Sequence, residues 1–335
     1  MRESLVSILT PFKNVSSYIE DCLDSILNQS YTNWELIIIN DHSTDDSNEI
    51  VESYAMKDVR IKHFQNNGNG IIDALRLAFS KSSGSYITRM DSDDIMAKNK
   101  LEVMVNQLKE YGKQHVALGL VKYFSDVGIS DGYAKYEAWL NKLTKTGQNY
   151  TEIYKECVIA SPCWMIHRDN LIACDAFNPN RYPEDYDLTF RFYKHGFKCI
   201  PSNELLHFWR DYSTRTSRTH EHYAQNYFLD IKLHYFLELD YDASRPLTLW
   251  GAGFKGKTIA KRLVEHKIDF HWICDNKNKI GKDIYGVKLQ AFEALKQIVQ
   301  PQTIVTVAND DEQKDIVNYF DALDMKHVED YFFFC

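Results

Sequence analysis

The sequence predicts an α/β protein, a doubly wound sheet followed by a second, smaller α/β unit. Three observations carry this. Short apolar runs alternate with amphipathic helical stretches through the first hundred residues, as in parallel strands joined by crossover helices. A polar, proline-containing segment, Asp240–Pro246, then interrupts the pattern and reads as a linker. A fresh strand, glycine turn and helix begin at Leu247. At 335 residues the chain is too long for one typical core, and its domains are expected at 1–240 and 247–335.

Each element has its own signal. Leu5–Leu9 is a short apolar run ended by Thr10-Pro11, as a buried parallel strand would be. Ser17–Asn28 sets Tyr18, Ile19, Cys22, Ile26 and Leu27 at helical spacing. Trp34–Ile39 is a second buried strand, stopped by Asn40-Asp41, and Ser47–Met56 is a helix. Arg60–Phe64 reads as a third strand, Ile71–Phe79 as a helix and Ser85–Met90 as a fourth strand. Leu101–Tyr111 is amphipathic, His115–Tyr123 is a strand, and Tyr186–Tyr193 is a helix. Tyr223–Leu239 is expected to close the first domain as a long helix. In the second unit Leu247–Trp250, Phe270–Cys274 and Thr303–Ala308 are strands and Lys257–His266 a helix.

The bulk numbers exclude several classes. Hydrophobic residues are 44% and charged residues 26%, so the chain is globular and not disordered. The formal net charge is -8 without a basic block, which argues against nucleic acid as a partner. Seven scattered cysteines lack any Cys-x-x-Cys pair and read as reduced cytosolic thiols. The start, MRESLVSILTPF, is too short an apolar stretch for a signal peptide, and no run approaches a membrane span. A cytoplasmic protein is expected, at most peripheral to a membrane; a homo-oligomer stays open.

In an open parallel sheet, ligands collect at the carboxyl ends of strands. Two polar clusters stand there: Asn40-Asp41-His42-Ser43-Thr44-Asp45-Asp46-Ser47, and Asp91-Ser92-Asp93-Asp94. Three carboxylates in four residues repel one another unless a cation joins them. Oxygen-only ligands point to Mg²⁺ or Mn²⁺, with substrate phosphates completing the shell. A helix cap would need only one of these aspartates. Asp45 and Asp46 suit a cap on the helix from Ser47, leaving Asp41 as the better ligand. Pro183-Glu184-Asp185-Tyr186-Asp187 begins a helix, where a carboxylate serves equally well as general base or cap. Trp209-Arg210, Arg215, Ser217, Arg218 and His220 form the concentrated cationic stretch of the first domain, suited to a leaving diphosphate. Tyr133, Tyr136, Trp139 and Pro162-Cys163-Trp164 fit either an acceptor groove or the core.

Taken together, Thr10-Pro11, Asn40 to Asp45, Arg89-Met90-Asp91-Ser92-Asp93-Asp94 and Glu184-Asp185-Tyr186-Asp187-Leu188 resemble glycosyltransferase family 2 over Ser4 to Arg218. The resemblance implies a GT-A fold, a nucleotide-sugar donor, a divalent cation and inversion at the anomeric carbon. It implies that Asp41 holds the nucleotide base, Asp91 the ribose side and Asp93 the metal, with Asp91 beside it. Asp185 is then the catalytic base, with Glu184 assisting in the acceptor site. Thr10, Pro11, Arg89, Ser92, Arg215 and Arg218 would line the donor. The implied reaction is hexosyl or hexosaminyl transfer from a uridine diphosphate sugar to a glycan or lipid-linked acceptor, in bacterial surface polysaccharide synthesis. Many members carry a histidine soon after the Tyr/Trp-Arg pair; here Asp211-Tyr212 follow, leaving His207, Arg215, Arg218 and His220 to replace it.

Gly251-Ala252-Gly253-Phe254-Lys255-Gly256 fits Gly-x-Gly-x-x-Gly between strand and helix, and Asp275 ends the next strand. This unit resembles the small Rossmann-like domains appended to some bacterial family 2 transferases. A second nucleotide site at Gly251, Gly253, Gly256 and Asp275 and a purely structural role stand level. Two other readings compete for the whole chain: a sugar nucleotidyltransferase, and a non-catalytic nucleotide-sensing scaffold. The first usually opens with a glycine-rich basic loop, which Thr10-Pro11-Phe12-Lys13-Asn14 is not.

Overall fold

A computed structural model describes residues 4–213, 215 and 228–335. The chain divides into two compact units, Met1–Asn149 with Val158–Thr219, and Tyr150–Cys157 with His220–Cys335.

The first unit opens with β1 (Val6–Phe12), α1 (Ile19–Leu27), β2 (Trp34–Asn40), α2 (Ser47–Ala55), β3 (Ile61–Gln65), α3 (Ile71–Lys81) and β4 (Tyr86–Arg89). It continues through β5 (Ile95–Met96), α4 (Lys100–Tyr111), β6 (His115–Leu118), β7 (Leu120–Phe124) and α5 (Asp131–Thr146). It ends with β8 (Trp164–His167), α6 (Arg168–Ala173), α7 (Glu184–Lys194), β9 (Lys198–Cys199) and β10 (Leu205–Arg210). Seven strands form one mixed sheet in the order β3-β2-β1-β4-β8-β6-β9. The first four are parallel, and β8 runs antiparallel to β4 and β6. A smaller sheet, β5-β10-β7, lies beside it. β2 is buried at every residue, which is why it reads as an unbroken apolar run. Val6, Ile8, Leu36 and Ile38 share a cluster with Ile19, Leu23 and Ile26 of α1.

β1 runs past its expected end at Leu9, through Thr10-Pro11 to Phe12. Met90 N donates to Leu9 O and Asp41 N to Phe12 O. That alternation turns the nitrogen of Pro11 toward the β4 side, beyond where β4 ends, so no ladder bond is lost. His115–Tyr123 is not one strand: it breaks at Gly119 into β6 of the large sheet and β7 of the small one. The glycine permits a close approach, because a Cβ there would sit 2.5 Å from Leu206 Cδ1 and 2.6 Å from Leu206 Cβ.

The second unit comprises α8 (Leu229–Leu239), β11 (Leu247–Trp250), α9 (Phe254–Glu265), β12 (Phe270–Cys274), the hairpin β13 (Asp283–Ile284) and β14 (Val287–Lys288), β15 (Gln290–Ala291), β16 (Gln302–Val305), α10 (Asp310–Asp321) and β17 (Tyr331–Phe333). Its parallel sheet runs β15-β12-β11-β16-β17, the strand order of a dinucleotide-binding fold. The helix expected to close the first domain falls here instead; residues 223–227 lie outside the described residues. The cause is aromatic packing. Phe236 of α8 meets Phe332 at 5.1 Å and Phe334 at 5.8 Å, and Tyr154 stacks on Phe334 at 5.3 Å. Lys232 Nζ donates to Lys155 O and Phe334 O. The division therefore lies upstream of Asp240–Pro246, whose Arg245 is itself tied to Asp330 and Pro301 O. Among the described residues no helix is long and apolar enough to cross a membrane.

Gly119→Ala is expected to cost about 1–3 kcal/mol, since Leu206 Cβ cannot move without its backbone. Thermal unfolding of the full chain measures this, and an unchanged midpoint would contradict the close β7–β10 approach.

Candidate active site

Three parallel strands, β1, β2 and β4, end on one edge of the large sheet and deliver the polar clusters side by side. Asp41 follows β2. Its Oδ1 accepts from Asn66 Nδ2 at 2.7 Å and from Gly70 N at 3.0 Å, and Lys13 Nζ stands 3.8 Å from Oδ2. The loop leading into α3 is thus folded over Asp41. Thr10 is fully buried and its hydroxyl lacks a partner among the described residues, whereas Pro11 is half-buried. Asp45 accepts from Ser47 N and Ser16 N, fixing the start of α2. Asp46 occupies the N-cap position without a side-chain cap bond.

Asp91–Asp94 does not cap a helix. β5 follows it, and α4 begins only after Asn99. Alternation splits the acids: Asp91 and Asp93 are partly exposed, while Ser92 and Asp94 are buried. Asp94 is anchored from within, accepting from Arg210 N at 2.8 Å and His207 Nε2 at 2.9 Å. Lys100 Nζ donates to Pro162 O at 2.6 Å and lies 3.3 Å from His207 Nδ1, which leaves the Nε2 proton for Asp94. Burial, then the Lys100 charge, keep His207 far below its ordinary pKa, so the ring is neutral. Burial also drives Asp94 above the usual carboxylate range, against the pull of Arg215.

Asp93 accepts from Tyr212 Oη at 2.9 Å. Burial, then the Asp94 charge, push its carboxyl up to about 7. Asp91 is the reverse case: burial raises it, but the Arg89 charge, then that of Arg215, outweigh burial and hold it low. Arg89 Nε donates to Asp91 at 2.8 Å, and Ser161 Oγ lies 3.3 Å from its other oxygen. Among the described residues no three His, Cys, Asp or Glu side chains form a metal cluster. Asp93 nevertheless sits in a crowding of acids that Arg215 and Tyr212 offset only in part, and a cation there would relieve it. Mg²⁺ sites commonly use one or two carboxylates and complete the shell with substrate phosphate, so Asp93 with Asp91 fits that ligand set.

Of the four candidates for the missing histidine, His207 is committed to Asp94, while Arg218 and His220, like Ser217, lie outside the described residues. Arg215 is buried, its guanidinium 5.2 Å from the Trp209 ring and hydrogen-bonded to Tyr123. Trp209 in turn stacks on Tyr123 at 5.0 Å with the planes 4° apart. This platform sets a fixed cation beside Asp91, Asp93 and Asp94. Tyr133, Tyr136 and Trp139 pack against the same core, and Trp164 is buried. Tyr212 and Lys100 were not singled out from the sequence. Tyr212 sits two residues beyond Trp209-Arg210 and could have been found; a lysine on an amphipathic helix gives no such signal.

α7 starts at Glu184, two residues before the expected Tyr186, with Pro183 in the N-cap position. Neither acid is the N-cap. Glu184 Oε1 accepts from Arg89 Nη1 at 2.9 Å, and Asp185 Oδ1 from Tyr186 N at 2.8 Å. Asp187 is buried between Arg181 and Arg191 and is structural. Burial, then the Glu184 charge, raise Asp185 well above an ordinary carboxylate, with Arg89 opposing.

In the second unit the glycines have packing reasons of their own. Gly251 has φ +117°, and a Cβ on Gly256 would meet Gly251 O at 2.1 Å. Gly253 faces open space and Asp275 is exposed at the end of β12. Lys279 Nζ crosses to Ala252 O at 2.7 Å.

The model of the family described as glycosyl transferase family 2 matches residues 7–174. Glycosyltransferase GlyG of Streptococcus pneumoniae serotype 4 is 28% identical over 64% of this chain and 73% of its own length. The putative teichuronic acid biosynthesis glycosyltransferase TuaG of Bacillus subtilis is 31% identical over 60% of this chain and 77% of its own length. A Rickettsia bellii protein named an uncharacterized glycosyltransferase is 33% identical over 55% of this chain, which spans only 25% of it. Among solved structures, S. aureus TarS 1-349 in complex with UDP-GlcNAc aligns with a TM-score of 0.56 and 19% identity over 79% of this chain and 72% of that one. Mannosyltransferase PcManGT from Pyrobaculum calidifontis, in complex with GDP-Man and Mn²⁺, gives 0.51 and 17% over 71% of each chain. The fold is accordingly the GT-A fold of such enzymes. A family match across half the chain, laid over the strand ends where the acids gather, decides among the three readings of the sequence: the chain belongs to glycosyl transferase family 2.

Proposed function

We propose that this glycosyltransferase moves a hexosyl or hexosaminyl group from a uridine diphosphate sugar onto a hydroxyl of a glycan or lipid-linked acceptor, with inversion. The observation that carries this reading is Asp185, a partly exposed carboxylate of raised pKa, joined through Glu184 and Arg89 to Asp91. Asp185 takes the acceptor hydroxyl's proton as that oxygen bonds to the anomeric carbon. The bond from that carbon to the diphosphate oxygen breaks on the opposite face, and the electron pair leaves with the diphosphate. No second base and no covalent sugar–enzyme intermediate are needed.

Asp41 would accept from the nucleotide base and Asp91 from the ribose, with Pro11 and Ser92 beside them. Arg215 would stand against the leaving diphosphate. Asp93, with Asp91, would hold Mn²⁺ or Mg²⁺, which when bound lowers the charge on the diphosphate oxygens. The name of the teichuronic acid biosynthesis relative supports a role in bacterial surface polysaccharide synthesis; we place that work in the cytoplasm or against the inner face of the membrane.

Asp185→Asn should keep donor affinity and lose transfer by about a hundredfold or more. Equal loss of both would mark the residue as structural. Because the base works only when ionised, wild-type kcat should rise with pH through the raised pKa of Asp185, about 7. A flat profile from about pH 5 to about pH 9 would contradict that assignment. Asp93→Ala should abolish turnover and Mn²⁺-dependent donor binding in calorimetry while the fold persists; full activity in that variant or in excess chelator contradicts the metal role.

A further inference from the structure

We infer that Arg89 is a positioning residue that locks the acceptor-side carboxylates to the donor-side carboxylate, and not a donor ligand. The inference rests on the single-displacement reading above. Arg89 is the last residue of β4, and its side chain is 7% exposed. Its Nε reaches Asp91 Oδ1 at 2.8 Å and its Nη1 reaches Glu184 Oε1 at 2.9 Å. Those acids belong to separate elements: Asp91 follows β4, and Glu184 opens α7, 95 positions from Arg89 in sequence.

A guanidinium suits this task because its donors form a rigid planar fork. Two of its edges are already committed to protein carboxylates, so it offers the donor little beyond its charge. Asp185 is the next residue after Glu184 in the first turn of a helix, so fixing Glu184 fixes the base. Asp91 is fixed by the same fork. The distance between the base and the donor therefore depends on one buried side chain. Lysine in its place keeps the charge but presents a single point, and one of the two contacts must go.

The test is a double-mutant cycle on the full chain, with Arg89→Lys, Glu184→Gln and both together. Turnover is read as UDP release from UDP-N-acetylglucosamine or UDP-glucose, whichever the wild type uses. Donor binding is read separately by calorimetry with UDP. If Arg89 acts through Glu184, each single variant loses kcat by about a hundredfold, the scale of a misplaced reacting group. The double variant is then no slower than the slower single, because the effects share one contact. UDP affinity stays within about threefold of wild type in Glu184→Gln. Losses that multiply, or wild-type kcat in Arg89→Lys, overturn the inference. Should Arg89→Lys not fold, Glu184→Gln alone decides: unchanged kcat, or a loss confined to UDP affinity, overturns it. A fully active Arg89→Lys beside an inactive Asp185→Asn removes the inference and leaves the proposed reaction standing. Full activity in Asp185→Asn, or no turnover by wild type, removes both.

Discussion

Five carboxylates, Asp91, Asp93, Asp94, Glu184 and Asp185, converge where the parallel strands of the large sheet end, and two buried arginines make that convergence tolerable. Arg89 joins Asp91 to Glu184, and Arg215 lies beside the three acids after β4. Buried charges of one sign are costly unless paired, and removing one partner leaves the other stranded. Much of the surrounding architecture serves this balance. The Trp209–Tyr123 stack gives Arg215 a fixed seat, and the Lys100–His207 pair holds Asp94 from beneath without adding an ionised imidazole.

The balance is incomplete, and that is chemically useful. Asp93 and Asp185 keep raised pKa values because burial, then the charge of the neighbouring acid, outweigh the pull of Arg215 on one and of Arg89 on the other. In the proposed reaction one of them meets a divalent ion with the diphosphate, and the other takes a proton.

The first half of the fold was legible because buried parallel strands are unbroken apolar runs and their helices are amphipathic. What was hidden depended on contacts distant in sequence. Nothing local in His115–Tyr123 shows that Gly119 must admit Leu206, so one strand was read where two lie in different sheets. Likewise Tyr223–Leu239 looks like the end of whatever precedes it; contacts with Tyr154, Phe332 and Phe334, far away in sequence, draw its described part into the second unit. At the site, Asp41, Asp91, Asp93 and Asp185 stood out because acids at strand and helix ends need a reason. The pairing of Arg89 with Glu184 gives no local signal, since the two stand 95 positions apart. Lys100 and Tyr212 were missed because each makes sense only beside the acid it serves.

The second unit has a dinucleotide-type strand order, yet close packing alone explains Gly251 and Gly256, so the glycine pattern does not by itself imply a cofactor. The central claim concerns the first unit, where a single base on α7 serves a single displacement. Its most direct test is NMR of the glycoside formed from an α-linked uridine diphosphate sugar, read early enough to precede equilibration. The account predicts a β-linked product; an α-linked product would contradict it.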